Sequence, residues 1–225
     1  MTTLIACSHG TDSGAGRATI VRLVEMVREL LPGVRVVQAF VDVQTPAIRD
    51  VVVEESTEDD LVVVPLLLSA GHHTAVDIAD AIAGHPGARR TEPLGSHPLV
   101  AHVLATRLRA AVSGSWRAGD RVVLAAAGSS DPAAAVDVDT AAEHLRALIP
   151  APVSVGYVST MRPRIADAVA GSRLEGAGRV IAASHLLAPG FFAGLVHEAG
   201  ADVVSAPLGA DPRIAQVIVE RFRTA

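Results

Sequence analysis

The 225-residue chain repeats itself. The segment TEPLGSHPLVAHVLATRL (91–108) resembles SAPLGADPRIAQVIVERF (205–222), which pairs Leu94 with Leu208 at an offset of 114. LLSAGHH (67–73) pairs with LLAPGFF (186–192), placing Gly71 on Gly190 at an offset of 119. SHGT (8–11) pairs with AAGS (126–129) at 118, and AFVDVQTP (39–46) with GYVSTMRP (156–163) at 117. Four matches in one order, at a nearly constant offset, indicate an internal duplication, and each copy must build a similar unit. The halves are expected at 1–113 and 114–225, joined near GSWRAGD (114–120).

Within each half, short β-branched runs alternate with helical patterns. Strands are expected at Thr3–Cys7, Val34–Phe40, Leu61–Pro65, Val122–Ala126, Val153–Tyr157, Val180–Ala183 and Asp202–Ser205. Helices are expected over 16–31, where Ile20, Leu23, Val24, Val27 and Leu31 fall at helical spacing, and near 46–56, 74–83, 97–112, 132–148, 162–170 and 210–223. Apolar strands without polar alternation, each followed by a helix, form parallel sheets covered on both faces. The predicted class is α/β: two similar flavodoxin-like halves, each a small parallel sheet flanked by helices, with a cleft between them. Ligands of such sheets bind beyond the carboxyl ends of the strands, so the loops there are where chemistry is sought.

The residue inventory removes several functions. All 19 basic residues are Arg. Without Lys there is no P-loop, no Schiff-base enzyme and no protein kinase. The charge is −4 over 1–113 (9 Arg, 13 acids) and −1 over 114–225 (10 Arg, 11 acids), with one Trp and one Tyr. Neither half offers a basic footprint, so nucleic acid is not an expected partner. A lone Cys7 forms no internal disulfide and suits a reducing compartment. MTTLIACSHG lacks the basic start and the length of a signal peptide. The longest uncharged run, 180–197, is interrupted by His185, Pro189 and two glycines, so no membrane span is expected. A soluble cytoplasmic protein follows as the expectation.

The halves differ at the strand ends. The first carries His9, Asp42 and His73, and the matching positions of the second are Ala127, Ser159 and Phe192. A structural role common to both halves would keep these residue types in both. One asymmetric site is therefore expected in the first half, with the second as its wall or lid. Two imidazoles and a carboxylate suit a divalent transition metal that is held and released, and equally suit proton acceptance near neutral pH. Strand spacing of roughly 5 Å lets imidazoles from neighbouring strand ends share one small ligand. His72 either lines the pocket or forms its edge. His97, before Pro98 at a helix start, is expected to cap or pack. Cys7, on the face of His9, is expected to be a buried packing residue. Asp12 is expected to cap the following helix.

Gly10-x-x-x-Gly14-x-Gly16, between a strand and a helix, also resembles the nucleotide loop of short-chain dehydrogenases. Those enzymes rely on a Tyr-x-x-x-Lys pair, and the chain has no Lys. An NAD(P)-binding Rossmann-type protein is thus a weaker alternative. Histidine phosphotransfer through His9 is weaker still, because the first Arg after His9 is Arg17.

The first strand ending in His-Gly, together with AFVDVQTPAI, PLLLSAGHHTAVDI and PLGSHPLV, resembles the class II chelatases of the sirohydrochlorin type, in their long two-domain form. The resemblance spans essentially the whole chain, with the second half as the degenerate copy. It implies insertion of a divalent ion into a modified tetrapyrrole, sirohydrochlorin, without ATP or an organic cofactor, in sirohaem or cobalamin biosynthesis. It places the family's two active-site histidines on His9 and His73, as metal ligands and proton acceptors, and its acidic residue, commonly Glu, on Asp42. Gly10, Thr11, Ser69, Ala70, Gly71 and His72 are the expected substrate-binding loop residues, with Phe191 and Phe192 as an apolar wall. Helix starts after Gly10–Gly14 and Ser129–Asp131 are expected anion sites for substrate carboxylates. The metal is Fe²⁺ or Co²⁺, with Ni²⁺ also compatible, and the absence of a His-rich tail leans toward iron. The expected partner is the small-molecule tetrapyrrole alone, bound by a monomer with pseudo-twofold halves. A non-catalytic tetrapyrrole or metal carrier would use the same cleft.

Overall fold

The structure, a computed structural model, describes residues 2–55, 60–69 and 71–225, and for 72–75 the backbone only. The first half runs β1 (Thr2–Ser8), α1 (Gly14–Leu30), β2 (Arg35–Phe40), α2 (Ile48–Glu55), β3 (Asp60–Pro65), α3 (His72–Ile82), β4 (Ala88–Arg90) and α4 (Pro98–Ala111). The second runs β5 (Asp120–Ala126), α5 (Ala133–Arg146), β6 (Val153–Tyr157), α6 (Ile165–Leu174), β7 (Arg179–His185), α7 (Phe191–His197), β8 (Val203–Val204) and α8 (Pro212–Arg223). Each half forms a four-stranded parallel sheet, ordered β2-β1-β3-β4 and β6-β5-β7-β8. The orders are the same, as a duplication requires. The α/β class and the two-half architecture expected from the sequence are both present.

The central strands are apolar on both faces, and Leu4, Ile5, Ala6 and Cys7 of β1 are fully buried. Helices cover both faces and satisfy the requirement that a parallel sheet be dry. In register, Cys7 lies beside Ala39 and Pro65, so β1, β2 and β3 end together and present their following loops at one edge.

The last helix of each half is exchanged. Helix α4 packs against β7, β8 and α5 of the second half, whereas α8 packs against α1 and β3 of the first, and the two helices pack on each other. One apolar cluster therefore spans both halves, through Leu4 and Val64, Val103 and Leu104, Val217 and Ile218, and on to Leu124 and Ile181, with a smaller cluster in each half. Polar contacts fix the exchange. Arg107 donates to the carbonyl oxygen of Leu208 at 2.7 Å, Arg221 donates to that of Pro93 at 3.1 Å, and His97 Nε2 lies 3.0 Å from Glu220 Oε2. His97 also caps α4 as expected, its Nδ1 accepting from the Leu99 N–H.

Several boundaries differ from the sequence expectation for local reasons. Ser13, not Asp12, caps α1: its Oγ accepts from the Gly16 N–H, while Asp12 stays exposed beside Arg17. The short β4 carries two arginines in place of a β-branched run, and α7 contains Gly194, so neither had a strong periodic signal. β8 shrinks to two residues, and side chains take the β7 amides on either side of it: Asp202 the Val180 N–H at 2.7 Å and Ser205 Oγ the Ser184 N–H at 3.0 Å. Among the described residues, no helix is long and apolar enough to cross a membrane.

Candidate active site

The loops beyond β1 and β2 continue to pair after the strands end. The Val41 N–H donates to the Ser8 carbonyl oxygen and the Asp42 N–H to that of His9, each at 2.9 Å. This close approach requires Gly10, which adopts φ +100° and at which a Cβ would overlap the Asp42 carbonyl. The second half repeats the arrangement. Val158 and Ser159 donate to Ala126 and Ala127 at 2.8 Å, Gly128 takes φ +85°, and a Cβ there would overlap the Ser159 carbonyl. Identical backbones thus carry different side chains. In the degenerate copy the Ser159 Oγ donates to the Ala127 carbonyl oxygen at 2.9 Å. In the first half, the Asp42 Oδ1 accepts from the Val43 N–H at 2.7 Å, and the rest of its carboxylate is exposed.

A cavity of about 360 Å³ opens at this edge, lined by His9, Val41, Asp42, Ala47, Ile48, Arg49 and Asp77. It brings together His9 and Asp42, two of the three side chains singled out by the repeat. Arg49 and Asp77 were not singled out, although the same comparison exposes them. Arg49 matches Ala166, and Asp77 matches Leu195 or Val196, depending on whether the helices are aligned on buried residues or on their starts. Every ionisable or metal-binding side chain of the lining is therefore apolar or uncharged in the second half.

His73 is the second residue of α3. Asp77 follows one helical turn later and on the same helix face. The side chains of His72 and His73 lie outside the described residues, as does Ala70. Ser69 follows β3 and is half-buried, and Gly71 precedes the first turn of α3. Gly10 and Thr11 shape the loop but stand outside the cavity lining. The Thr11 N–H donates to Gln44 Oε1 at 2.9 Å and its Oγ1 accepts from the Ser13 N–H. Among the described residues, no group of three or more His, Cys, Asp or Glu forms a metal cage.

Phe191 and Phe192 open α7, with ring centroids 6.0 Å apart and planes tilted by 44°. Phe191 is 77% exposed and Phe192 36%. The preceding residues lie against the loop that follows His9. A Cβ on Gly190 would sit 3.5 Å from Thr11 Oγ1, and one on Gly16 only 2.6 Å from the Pro189 carbonyl oxygen. Gly16 thus serves the approach of the second half, which accounts for that glycine of the nucleotide-like pattern without a phosphate.

The helix starts expected to bind anions are occupied by the chain itself. Ser13 caps α1, and the Asp131 carboxylate accepts from the Ala133 N–H at 2.9 Å, placing a negative charge where an anion would sit. Cys7 is fully buried and its thiol is pushed up to about 12, so it packs as a small apolar residue. His185 closes β7, is buried, and among the described residues has no partner on either ring nitrogen; burial drives its pKa down to about 4.

Comparison with known proteins agrees with this architecture. SirB from Bacillus subtilis with Fe³⁺ superposes with a TM-score of 0.77 at 21% identity, over 99% of this chain and 94% of that one. SirB from Bacillus subtilis subspecies spizizenii in complex with cobalt gives 0.76 at 20% identity, over 99% and 94%. CbiX, described as the terminal enzyme for biosynthesis of siroheme in denitrifying bacteria, gives 0.69 at 24% identity, over 99% of both chains. At these identities the likeness is one of fold. By sequence alone, the chain matches no curated protein. The sequence model of the CbiX family matches twice, over residues 3–111 and 121–225, once on each half of the duplication. The chain belongs to the CbiX family.

Proposed function

We propose that the protein is a sirohydrochlorin chelatase, which inserts Fe²⁺ or Co²⁺ into sirohydrochlorin in sirohaem or cobalamin biosynthesis. The observation that carries this reading is the cavity shared by His9 and Asp42, set at the carboxyl edge of a sheet whose duplicate has lost both. His73, one turn before the cavity-lining Asp77, is the second imidazole of the proposed site.

Insertion of a divalent ion into a free-base tetrapyrrole displaces two pyrrole protons, so the site must supply both a metal ligand and a base. A neutral imidazole nitrogen does either, but not both at once. His9 and His73 therefore first hold the ion at one face of the macrocycle, and accept the pyrrole protons as it passes to the ring nitrogens. Asp42 assists as a ligand or proton relay, its free carboxylate oxygen being available while Oδ1 holds the Val43 N–H. Phe191 and Phe192 form the apolar wall against which the ring lies. Imidazole and carboxylate accept Fe²⁺, Co²⁺ and Ni²⁺ alike, so the metal used follows from supply.

The test is anaerobic metal insertion with the protein substoichiometric to sirohydrochlorin, followed by the change in ring absorbance. Many turnovers per protein are expected. A change that stops at one equivalent identifies a carrier and overturns the enzymatic reading. His9→Ala and His73→Ala are each expected to slow insertion at least about a hundredfold. Unchanged rates in both would remove the site assignment.

A further inference from the structure

We infer that Arg49 is the substrate-anchoring residue of this site, pairing through its guanidinium with a peripheral carboxylate of the tetrapyrrole. The inference rests on the chelatase reading above and deepens it.

Among the described residues, Arg49 is the one guanidinium in the lining of the cavity that holds His9 and Asp42. It stands in the first turn of α2, beyond the carboxyl edge of the sheet. Its ion-pair partner is Asp80 at 3.9 Å, with side chains 66% and 59% exposed. That separation exceeds hydrogen-bonding distance and the pair is open to water, so it holds the guanidinium weakly. The planar fork is thus available for two parallel hydrogen bonds to a carboxylate, a geometry that Arg provides and Lys does not. Arg162, on the matching loop of the second half, is also open, with Asp167 at 3.4 Å, but it stands outside the cavity lining, and two other arginines are held by carbonyl oxygens. Arg17 donates to the Thr11 carbonyl oxygen at 2.8 Å, and Arg164, on the matching loop of the second half, to that of Val158 at 3.0 Å.

Two further observations place the anion on Arg49. The two helix starts expected from the sequence to bind anions already hold chain groups, Ser13 at α1 and the Asp131 carboxylate at α5. The matching position in the second half is Ala166, so the guanidinium was lost with the imidazoles and carboxylates of that copy. Asp42 and Asp77 in the same lining repel a carboxylate elsewhere in the cavity and attract the incoming dication. A site that must accept a cation and a polyanionic ring together needs both signs, and Arg49 confines the anion to one end.

The experiment measures steady-state insertion and equilibrium binding of metal-free sirohydrochlorin for wild type, Arg49→Ala, Arg49→Lys and, as a charge control, Arg22→Ala on α1. Arg49→Ala is expected to raise KM and Kd for sirohydrochlorin about tenfold with kcat within about twofold, as loss of a charged hydrogen bond requires. Arg49→Lys should recover part of that loss, and Arg22→Ala should match wild type. Unchanged KM and Kd in Arg49→Ala, or an equal rise in Arg22→Ala, would overturn the inference while leaving the chelatase reading intact. A wild type that binds sirohydrochlorin without turnover would overturn the chelatase reading, with the Kd values still deciding the role of Arg49. A wild type that binds no sirohydrochlorin would overturn both.

Discussion

Asp42 is tied to His9 through the main chain, its N–H donating to the His9 carbonyl oxygen at 2.9 Å, while both side chains line one cavity. The bond fixes the two loops without using either functional group. Asp42→Asn keeps an oxygen for the Val43 N–H and removes only the charge. It should therefore leave the melting temperature near wild type, because exposed substitutions shift stability by about 0.5 kcal/mol or less, and slow metal insertion. A variant with full activity would show that the carboxylate has no part in ion or proton handling.

Gly10 and Gly128 provide a matched pair. Alanine at either must adopt a left-handed φ and meet a carbonyl oxygen, that of Asp42 or Ser159. Each substitution should cost about 2 kcal/mol or more in denaturant unfolding. Activity at a temperature where both variants are folded should fall much further for Gly10→Ala, because that loop carries His9. Equal losses would contradict a one-sided site.

Phe191→Ala should raise KM for the tetrapyrrole about tenfold or more with little change in stability, since the ring is 77% exposed. Burial of a ring against substrate is worth about 1.5–3 kcal/mol, and an exposed ring contributes almost none of this to folding. A raised Kd by fluorescence or absorbance titration is the direct measure, and an unchanged value would remove the apolar wall.

His185 should make the protein acid-sensitive. Its pKa falls from 6.5 in the unfolded chain to about 4 in the fold. Above pH 6.5 both states are neutral and the group has no pH effect. As pH drops from 6.5 toward 4, the unfolded chain takes up the proton first, and stability falls by as much as about 3 kcal/mol before levelling off. His185→Leu, which installs the residue of the matching position Leu66, should flatten this part of the stability curve. It should also stabilise the protein at neutral pH by removing two unpartnered ring nitrogens. Urea midpoints between pH 7.5 and 4.5 for both proteins decide the matter.

The exchange of α4 and α8 bears on the halves as separate chains. Residues 1–113 alone would present α4, with Val100, Val103, Leu104 and Leu108 unburied, and a sheet without α8 on it. Because α4 and α8 are copies of one segment, two such chains can satisfy each other by reciprocal exchange. Size-exclusion chromatography should therefore give a dimer or aggregate, and a stable folded monomer would contradict the packing.

Much of the scaffold was legible because its determinants are local. The apolar runs that became β1, β3, β5 and β7, the helical spacing of Ile20, Leu23, Val24 and Val27, and the His97-Pro98 helix start all act over a few residues. The elements that went unread, β4 and α7, are short and lack apolar periodicity. The asymmetry of His9 and Asp42 was visible as well, since comparing two copies within one chain requires no coordinates.

The α/β class, the duplication and the half that carries imidazole and carboxylate could be read before any coordinates, because residue type and spacing encode them directly. Packing was needed to decide that the last helices change places and that Arg49 and Asp77 join His9 around one cavity. Those outcomes depend on contacts between residues distant along the chain, and such contacts are fixed only when the competing faces of both sheets have been buried.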